Sequence, residues 1–403
     1  MKKLLLISVA AATTLMASGY KIPEQSLNAT ALAGAYVSNA STADAAYYNP
    51  ANMAFMSEDK QLELNLMYIH LNPTDFEGSA GGVPSHTAQS TSEDFILPQI
   101  YLVSAPIGED EDVRMGLSVN APAGLSKQWP EGIEANMAKE FTLKVIEVNP
   151  TLSYRLMDNL SIAGGIRFVY SEGVVKTAAG GGNLDLTGDS WDLGYNLALA
   201  YKPLDMWAMA LTYRSDVELT EEGGNTFIHP QYGQVTTPAS VSVPLPGTLT
   251  LATDVDVTES TNIELTYERT FWSSYEEINI QIPAAGVLPG MPDAKNWVDT
   301  NTVRLGLTQG VGETLDIMVG VAYDETPVPV ETLGFELSDS DAVIASVGVR
   351  WAVNEKIDIG AAVLYDAKSD RTIEVSDNNT KGINGTFSGS SAVLASFGLG
   401  YKF

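Results

Sequence analysis

The sequence predicts an all-β protein: a fourteen-stranded antiparallel transmembrane β-barrel with a plug segment ahead of its first strand. Three observations predict it. Residues 393–403 place an apolar side chain at every second position for about ten residues and end on an aromatic, Phe403. A soluble strand usually holds such alternation for only four to eight residues, whereas about ten are needed to cross a bilayer at a tilt. Thirteen further segments of similar length alternate in the same way, and the connections between them are alternately short and long.

The elements follow in chain order. Residues 1–18 read as a secretory signal: Lys2 and Lys3 form the basic region, 4–12 the apolar region, and Leu15-Met16-Ala17-Ser18 a small-residue cleavage site. That apolar run is too short to span a membrane as a helix. Residues 19–58 lack a period of two, are rich in Ala, Ser and Asn, and carry a turn signal at Asn49-Pro50. A segment of that length ahead of the first strand suits a plug, because fourteen strands enclose more space than wall side chains fill.

The barrel is expected over 59–403, with strands near 60–70, 94–105, 113–121, 140–155, 160–176, 188–202, 207–220, 248–257, 262–272, 299–310, 314–324, 341–352, 356–367 and 391–403. In one of them Leu160, Ile162, Gly164, Ile166, Phe168 and Tyr170 share a face, with Ser161, Ala163, Gly165 and Arg167 on the other. Tight polar turns such as Met157-Asp158-Asn159 and Val353-Asn354-Glu355-Lys356 suit the periplasmic side. Loops near 71–93, 122–139, 177–187, 221–247, 273–298, 325–340 and 368–390 suit the outside, and an even strand number leaves both termini in the periplasm. A soluble sandwich would turn polar rather than Leu, Ile, Val and Tyr side chains outward.

Composition excludes several classes of function. The formal charge of −28 leaves no footprint for nucleic acid. The absence of cysteine removes disulfides and thiolate chemistry. No G-x-S-x-G, G-x-G-x-x-G or P-loop pattern occurs, and His70, His86 and His229 show no ligand spacing. We therefore expect no enzyme activity, no cofactor and no metal.

The stretches Gly19-Tyr20-Lys21-Ile22-Pro23-Glu24-Gln25-Ser26, Ala33-Gly34-Ala35-Tyr36 and Asp44-Ala45-Ala46-Tyr47-Tyr48-Asn49-Pro50-Ala51 resemble the N-terminal hatch of the FadL family. In order after them come Leu211-Thr212-Tyr213-Arg214-Ser215, the stretch from Trp297 to Gly306, and Ala322-Tyr323-Asp324-Glu325-Thr326-Pro327-Val328-Pro329. The resemblance covers essentially the whole chain after residue 18. It implies an outer-membrane transporter of long-chain fatty acids or related hydrophobic compounds, plugged by the hatch and opened sideways by a kink in the third strand. Pro122 and Gly124 suit that kink, since proline removes a ladder donor and glycine permits a bulge. Pro122 would equally suit the start of the next outer loop.

Passive uptake of a hydrophobic small molecule is therefore the leading expectation, with a general diffusion porin or a structural or adhesive surface protein as alternatives. Leu125, Trp129, Ile133, Met137 and Phe141 carry the apolar surface that capture at the outer face requires, and they would also serve to pack loop on loop. Residues 131–138 read as a short amphipathic helix. Asn49, Pro50 and Ala51 would set the turn that seats the hatch. The family's fatty-acid members meet the carboxylate with lumenal bases, yet Glu172 and Val298 stand in the regions where such bases are sought. Arg167, Arg214 and Arg304 face the lumen and are expected to pair with acids such as Glu264 and Asp316. Phe403 resembles the signal read by the barrel assembly machinery. The remaining expected partners are outer-membrane lipid and lipopolysaccharide, with a monomeric barrel.

Overall fold

A computed structural model describes residues 19–179, 182–229, 233–281 and 292–403, so the signal sequence assigned to 1–18 lies outside the described residues. The barrel strands are β1 (Gln61–Leu71), β2 (Glu93–Val103), β3 in two pieces (Val113–Asn120 and Gly124–Gln128), β4 (Glu140–Met157), β5 (Leu160–Ala179) and β6 (Gly182–Leu204). They continue with β7 (Trp207–Arg214 and Val217–His229), β8 (Gly233–Leu245 and Thr248–Thr258), β9 (Thr261–Thr270), β10 (Thr300–Val311) and β11 (Leu315–Asp324). The last three are β12 (Ala342–Ala352), β13 (Ile357–Lys368) and β14 (Ser391–Lys402). Neighbours pair antiparallel, and β1 pairs with both β14 and β2, so the sheet closes. Closure pairs the strands with one another, as the hydrocarbon layer demands, with a short ladder only between β2 and β3.

Alternation decides which way each strand faces. On β11, Ile317, Val319, Val321 and Tyr323 are exposed while Met318, Gly320 and Ala322 are buried. The tight turns lie at the end that carries Gln61 and Lys402. At the other end, Asp75–Ala80, Val83–Gln89, Arg371–Ile373 and Ile383–Ser388 form a separate four-stranded sheet over the mouth. The segments 177–187 and 221–247, expected as loops, are for the most part strand among the described residues. Leu184, Leu186, Val241 and Val243 continue the alternation of β5–β8 beyond the membrane band, and their Gly- and Ser-rich surroundings mask it.

Residues 20–56 lie inside the lumen and contain α1 (Leu27–Ala31), α2 (Ala45–Tyr48) and a 3-10 helix, Pro50–Phe55. A stripe of wall glycines makes room for them. An added Cβ would lie 2.1 Å from Leu32 C at Gly320, 2.5 Å from Ala31 Cβ at Gly348 and 2.5 Å from Leu27 Cδ2 at Gly360. The alanines of the plug are the counterpart: small on small lets backbone approach wall.

Polar contacts complete the seat. Ser346 Oγ donates to Ala31 O at 2.8 Å, Ser161 Oγ to Ala51 O at 2.7 Å, and Arg350 Nη1 to Asn28 Oδ1 at 2.9 Å. The acids expected to hold the lumenal arginines are not the ones that do so. Glu147 holds Arg167 and Arg214, and Glu268 holds Arg304. Glu264 instead accepts from the backbone N–H groups of Val37, Ser38 and Asn39 at 2.7, 3.2 and 2.9 Å. Arg350, one strand from Asp316 on β12, pairs with Glu63 and Asp358. A one-dimensional reading places an acid and a base on neighbouring strands, but the plug competes for the acid.

Candidate functional site

The site grows from the first described residues. Gly19 has φ 64, and a Cβ there would strike Trp272 at 2.7 Å, so only glycine lets the chain enter the barrel at this point. Tyr20, now buried, meets Trp272 with ring centroids 4.7 Å apart, and Trp297 lies 4.9 Å from Trp272 and 4.8 Å from Tyr275. The edge-on contacts suit the ring quadrupoles. Tyr20, Tyr275 and Trp297 floor a cavity of about 70 Å³ toward the outer end, with Leu125, Phe141, Leu143, Val175, Val243 and Val328 in its walls.

Few polar groups reach that space. Lys295 is buried and its Nζ contacts Glu336 Oε1 at 2.5 Å and Asp293 Oδ2 at 3.0 Å. Burial pulls its ammonium toward deprotonation, and the carboxylates of Glu336 and Asp293 more than offset that, leaving it above the ordinary lysine range. Burial pushes Glu336 up, and Lys295 then draws it below the usual carboxylate range. The pair is fully ionised and mutually satisfied. Glu221, on the outer piece of β7, is the remaining charged lining group.

The same N-terminal residues reach the wall. Lys21 forms an antiparallel bridge with Ala123, flanked by Ile22 N–H to Pro122 O and Gly124 N–H to Tyr20 O, both 2.9 Å. Pro122 and Gly124 thus sit at a real interruption of β3. Asn120 lies opposite Glu147 and Gly124 opposite Lys144, so residues 121–123 face only Val145 and Ile146: one residue too many, a bulge. The ladder between β2 and β3 stops short of the bulge, pairing residues 100–103 of β2 with 116–119 of β3, and Thr91 N–H to Gln128 O at 2.9 Å is a contact farther out.

Of the residues expected to form a capture surface, Leu125 and Phe141 line the cavity. Trp129 is fully buried and donates from Nε1 to Phe335 O at 2.9 Å, while Ile133 and Met137, on α3 (Gly132–Ala138), pack against the outer cluster. Those three join loop to loop rather than line the cavity. Asn49 caps the 3-10 helix, its side chain accepting from Ala51 N–H at 3.2 Å, with Pro50 in the first turn. Phe403 is exposed at the periplasmic rim, its N–H on Lys60 O at 3.0 Å and its ring 4.9 Å from Tyr401.

Sequence reasoning missed Tyr20, Tyr275 and Glu221. The available signal was the crowding of Trp272, Tyr275 and Trp297 in and beside one outer loop, where three large aromatics have no membrane to face.

Residues 8–403 match the family described as outer membrane protein transport protein (OMPP1/FadL/TodX). A long-chain fatty acid transport protein of Escherichia coli O6:H1 is 24% identical over 91% of both chains. Outer membrane protein P1 of Haemophilus influenzae is 22% identical over 87% of both. Among solved structures, a Pseudomonas aeruginosa FadL homologue superposes with a TM-score of 0.81 at 19% identity, covering 96% of this chain and all of its own. The Ralstonia pickettii toluene transporter TbuX gives 0.72 at 17%, covering 94% and 98%.

Proposed function

This chain belongs to the OMPP1/FadL/TodX family of outer membrane transport proteins, and from that premise we propose that it is a passive uptake channel for hydrophobic small molecules such as hydrocarbons or long-chain fatty acids. Curated relatives are named for long-chain fatty acids and a solved neighbour for toluene. The observation that carries the reading is that one segment does two things. Tyr20 floors the apolar cavity while Lys21 and its neighbours bond to the bulge in β3.

Cargo enters between the outer loops and gains about 25 cal/mol per Å² of apolar surface it buries in the cavity. Leu125 and Phe141 meet it, while Trp129, Ile133 and Met137 hold the loops that shape the mouth. Withdrawal of residues 19–23, about the turn at Asn49, Pro50 and Ala51, lowers the floor and frees the bulge together. The cargo then leaves sideways between β2 and β3 into the membrane. No covalent step or energy input is involved.

The chain has no cysteine, so the gate is directly testable. Lys21 and Ala123 form a non-hydrogen-bonded antiparallel pair, whose Cα atoms lie about 4.5 Å apart, within disulfide reach. Cells carrying the double variant K21C/A123C should take up toluene at least about tenfold more slowly when it is oxidised, with recovery on reduction. Unchanged uptake by the cross-linked protein would sink the gating scheme.

A further inference from the structure

We propose that the outer cavity selects molecules whose polar end donates a hydrogen bond, a hydroxyl or neutral amine on an otherwise apolar body, and that Glu221 is the group that reads it. The inference rests on the cavity being the cargo site.

Glu221 is 2% exposed and lines the cavity, and its Oε1 is enclosed with no hydrogen-bond partner. Leaving a buried carboxylate oxygen unsatisfied is costly, so the oxygen is a standing acceptor for a donor brought in from outside. The wall makes space for this carboxylate. Gly173 on β5 lies against it, and a Cβ there would sit 1.9 Å from Glu221 Oε2. Glycine in a strand interior marks such a close approach.

Of the other lining groups, Tyr20 and Lys295 are spent and Glu336 repels an anion. Tyr20 gives its hydroxyl to Pro244 O. Lys295 is gripped by Glu336 and Asp293, two carboxylates on one ammonium. A cargo carboxylate would find no free base there and would face Glu221 and Glu336 at close range, in a medium that screens charge poorly. A bare hydrocarbon would fit the walls but leave Glu221 unsatisfied. A hydroxyl or amine hydrogen alone completes the site.

The test is isothermal titration calorimetry on the whole barrel in a non-ionic detergent with four probes that share a tolyl body: p-xylene, p-cresol, p-toluidine and p-toluate. Burial raises Glu221 to about 7, so the titrations are run at about pH 8.5, where it is ionised and a hydrogen bond to a charged acceptor corresponds to about a tenfold gain or more. p-Cresol and p-toluidine should bind more tightly than p-xylene by that factor, with p-toluate weakest. E221L should abolish the difference between p-cresol and p-xylene. E221Q, which keeps the shape and one acceptor oxygen, should lower p-cresol by a smaller factor, about threefold. Heat-modifiable mobility on gels checks that each barrel is folded. Equal binding of p-xylene and p-cresol, tightest binding of p-toluate, or a p-cresol affinity indifferent to both variants would overturn the proposal while leaving the cavity as a cargo site. Failure of all four probes to bind would overturn the cavity reading with it.

Discussion

Glu264 illustrates how a single side chain stands in for secondary structure inside the barrel. Residues 37–39 of the plug have no ladder to join, and one carboxylate collects their three N–H groups. Hydrogen bonds to a charged acceptor contribute about 1.5–3 kcal/mol each. Glu264→Ala should therefore leave the barrel inserted but loosen the plug, read as protease cleavage within residues 30–45 that the parent resists. A second residue-scale device lies over the mouth. His86 Nε2 meets the buried Glu134 Oε1 at 2.5 Å and its Nδ1 meets Pro84 O at 2.9 Å, an arrangement that suits an imidazolium donating from both nitrogens. The bond to Glu134, then that to Pro84 O, holds His86 above its ordinary 6.5. The folded pKa is the higher one, so this contact contributes fully below pH 6.5 and is lost as pH rises through the raised value. Hydrogen exchange of Val83–Gln89, corrected for intrinsic rates, should quicken as pH rises above 6.5 in the parent and show no such step in H86Q. A flat parent profile would exclude the latch.

At the scale of elements, two wall features shape what the plug and the cargo meet. The glycines at positions 320, 348 and 360 of β11, β12 and β13 form the bed of α1. At Gly320 the added methyl of an alanine would collide with plug backbone, not with a pliable side chain. G320A should thus unseat α1 and raise single-channel conductance, whereas G224A, on the outer piece of β7 where nothing lies within 4 Å, should not. The bulge of β3 is the other feature. Its extra residue keeps the outer part of β3 out of register with the ladder that β2 offers. Deleting Ala121 removes the surplus residue, and the expected result is a continuous wall and an uptake rate at least about tenfold lower with normal insertion. Undiminished uptake would remove the sideways exit from the mechanism.

At the scale of the whole molecule, closure and location go together. The sheet closes on itself through β1 and β14, the apolar faces point outward, and this is an outer-membrane barrel as its relatives are. Its rim ends on Phe403, exposed beside Tyr401. We propose that Phe403 is read during assembly: removing it should leave detergent refolding intact and cut the amount reaching the outer membrane by several-fold. Equal membrane levels would show that the assembly machinery does not read it.

Much of this was legible from alternation. A period of two, sustained for a membrane's thickness and repeated fourteen times, has few physical solutions, and the strands observed lie close to those expected. The plug was legible by the opposite sign, a stretch without that period, and the bulge by Pro122, which cannot donate to a ladder. The ends of β5–β8 were misjudged because glycine and serine suggest loops wherever they fall. The site itself was hidden. Tyr20 is separated by about 250 residues from Trp272, and Glu147 by 67 from Arg214, the pairing that displaced the expected Glu264. The sequence by itself determined the barrel, its strand number and its place in the membrane, because these follow from local alternation and chain length. Which acid meets which base, which oxygen is left without a partner and where the plug touches the wall were decided only by tertiary structure, because closing the sheet brings strands far apart in the chain around one lumen.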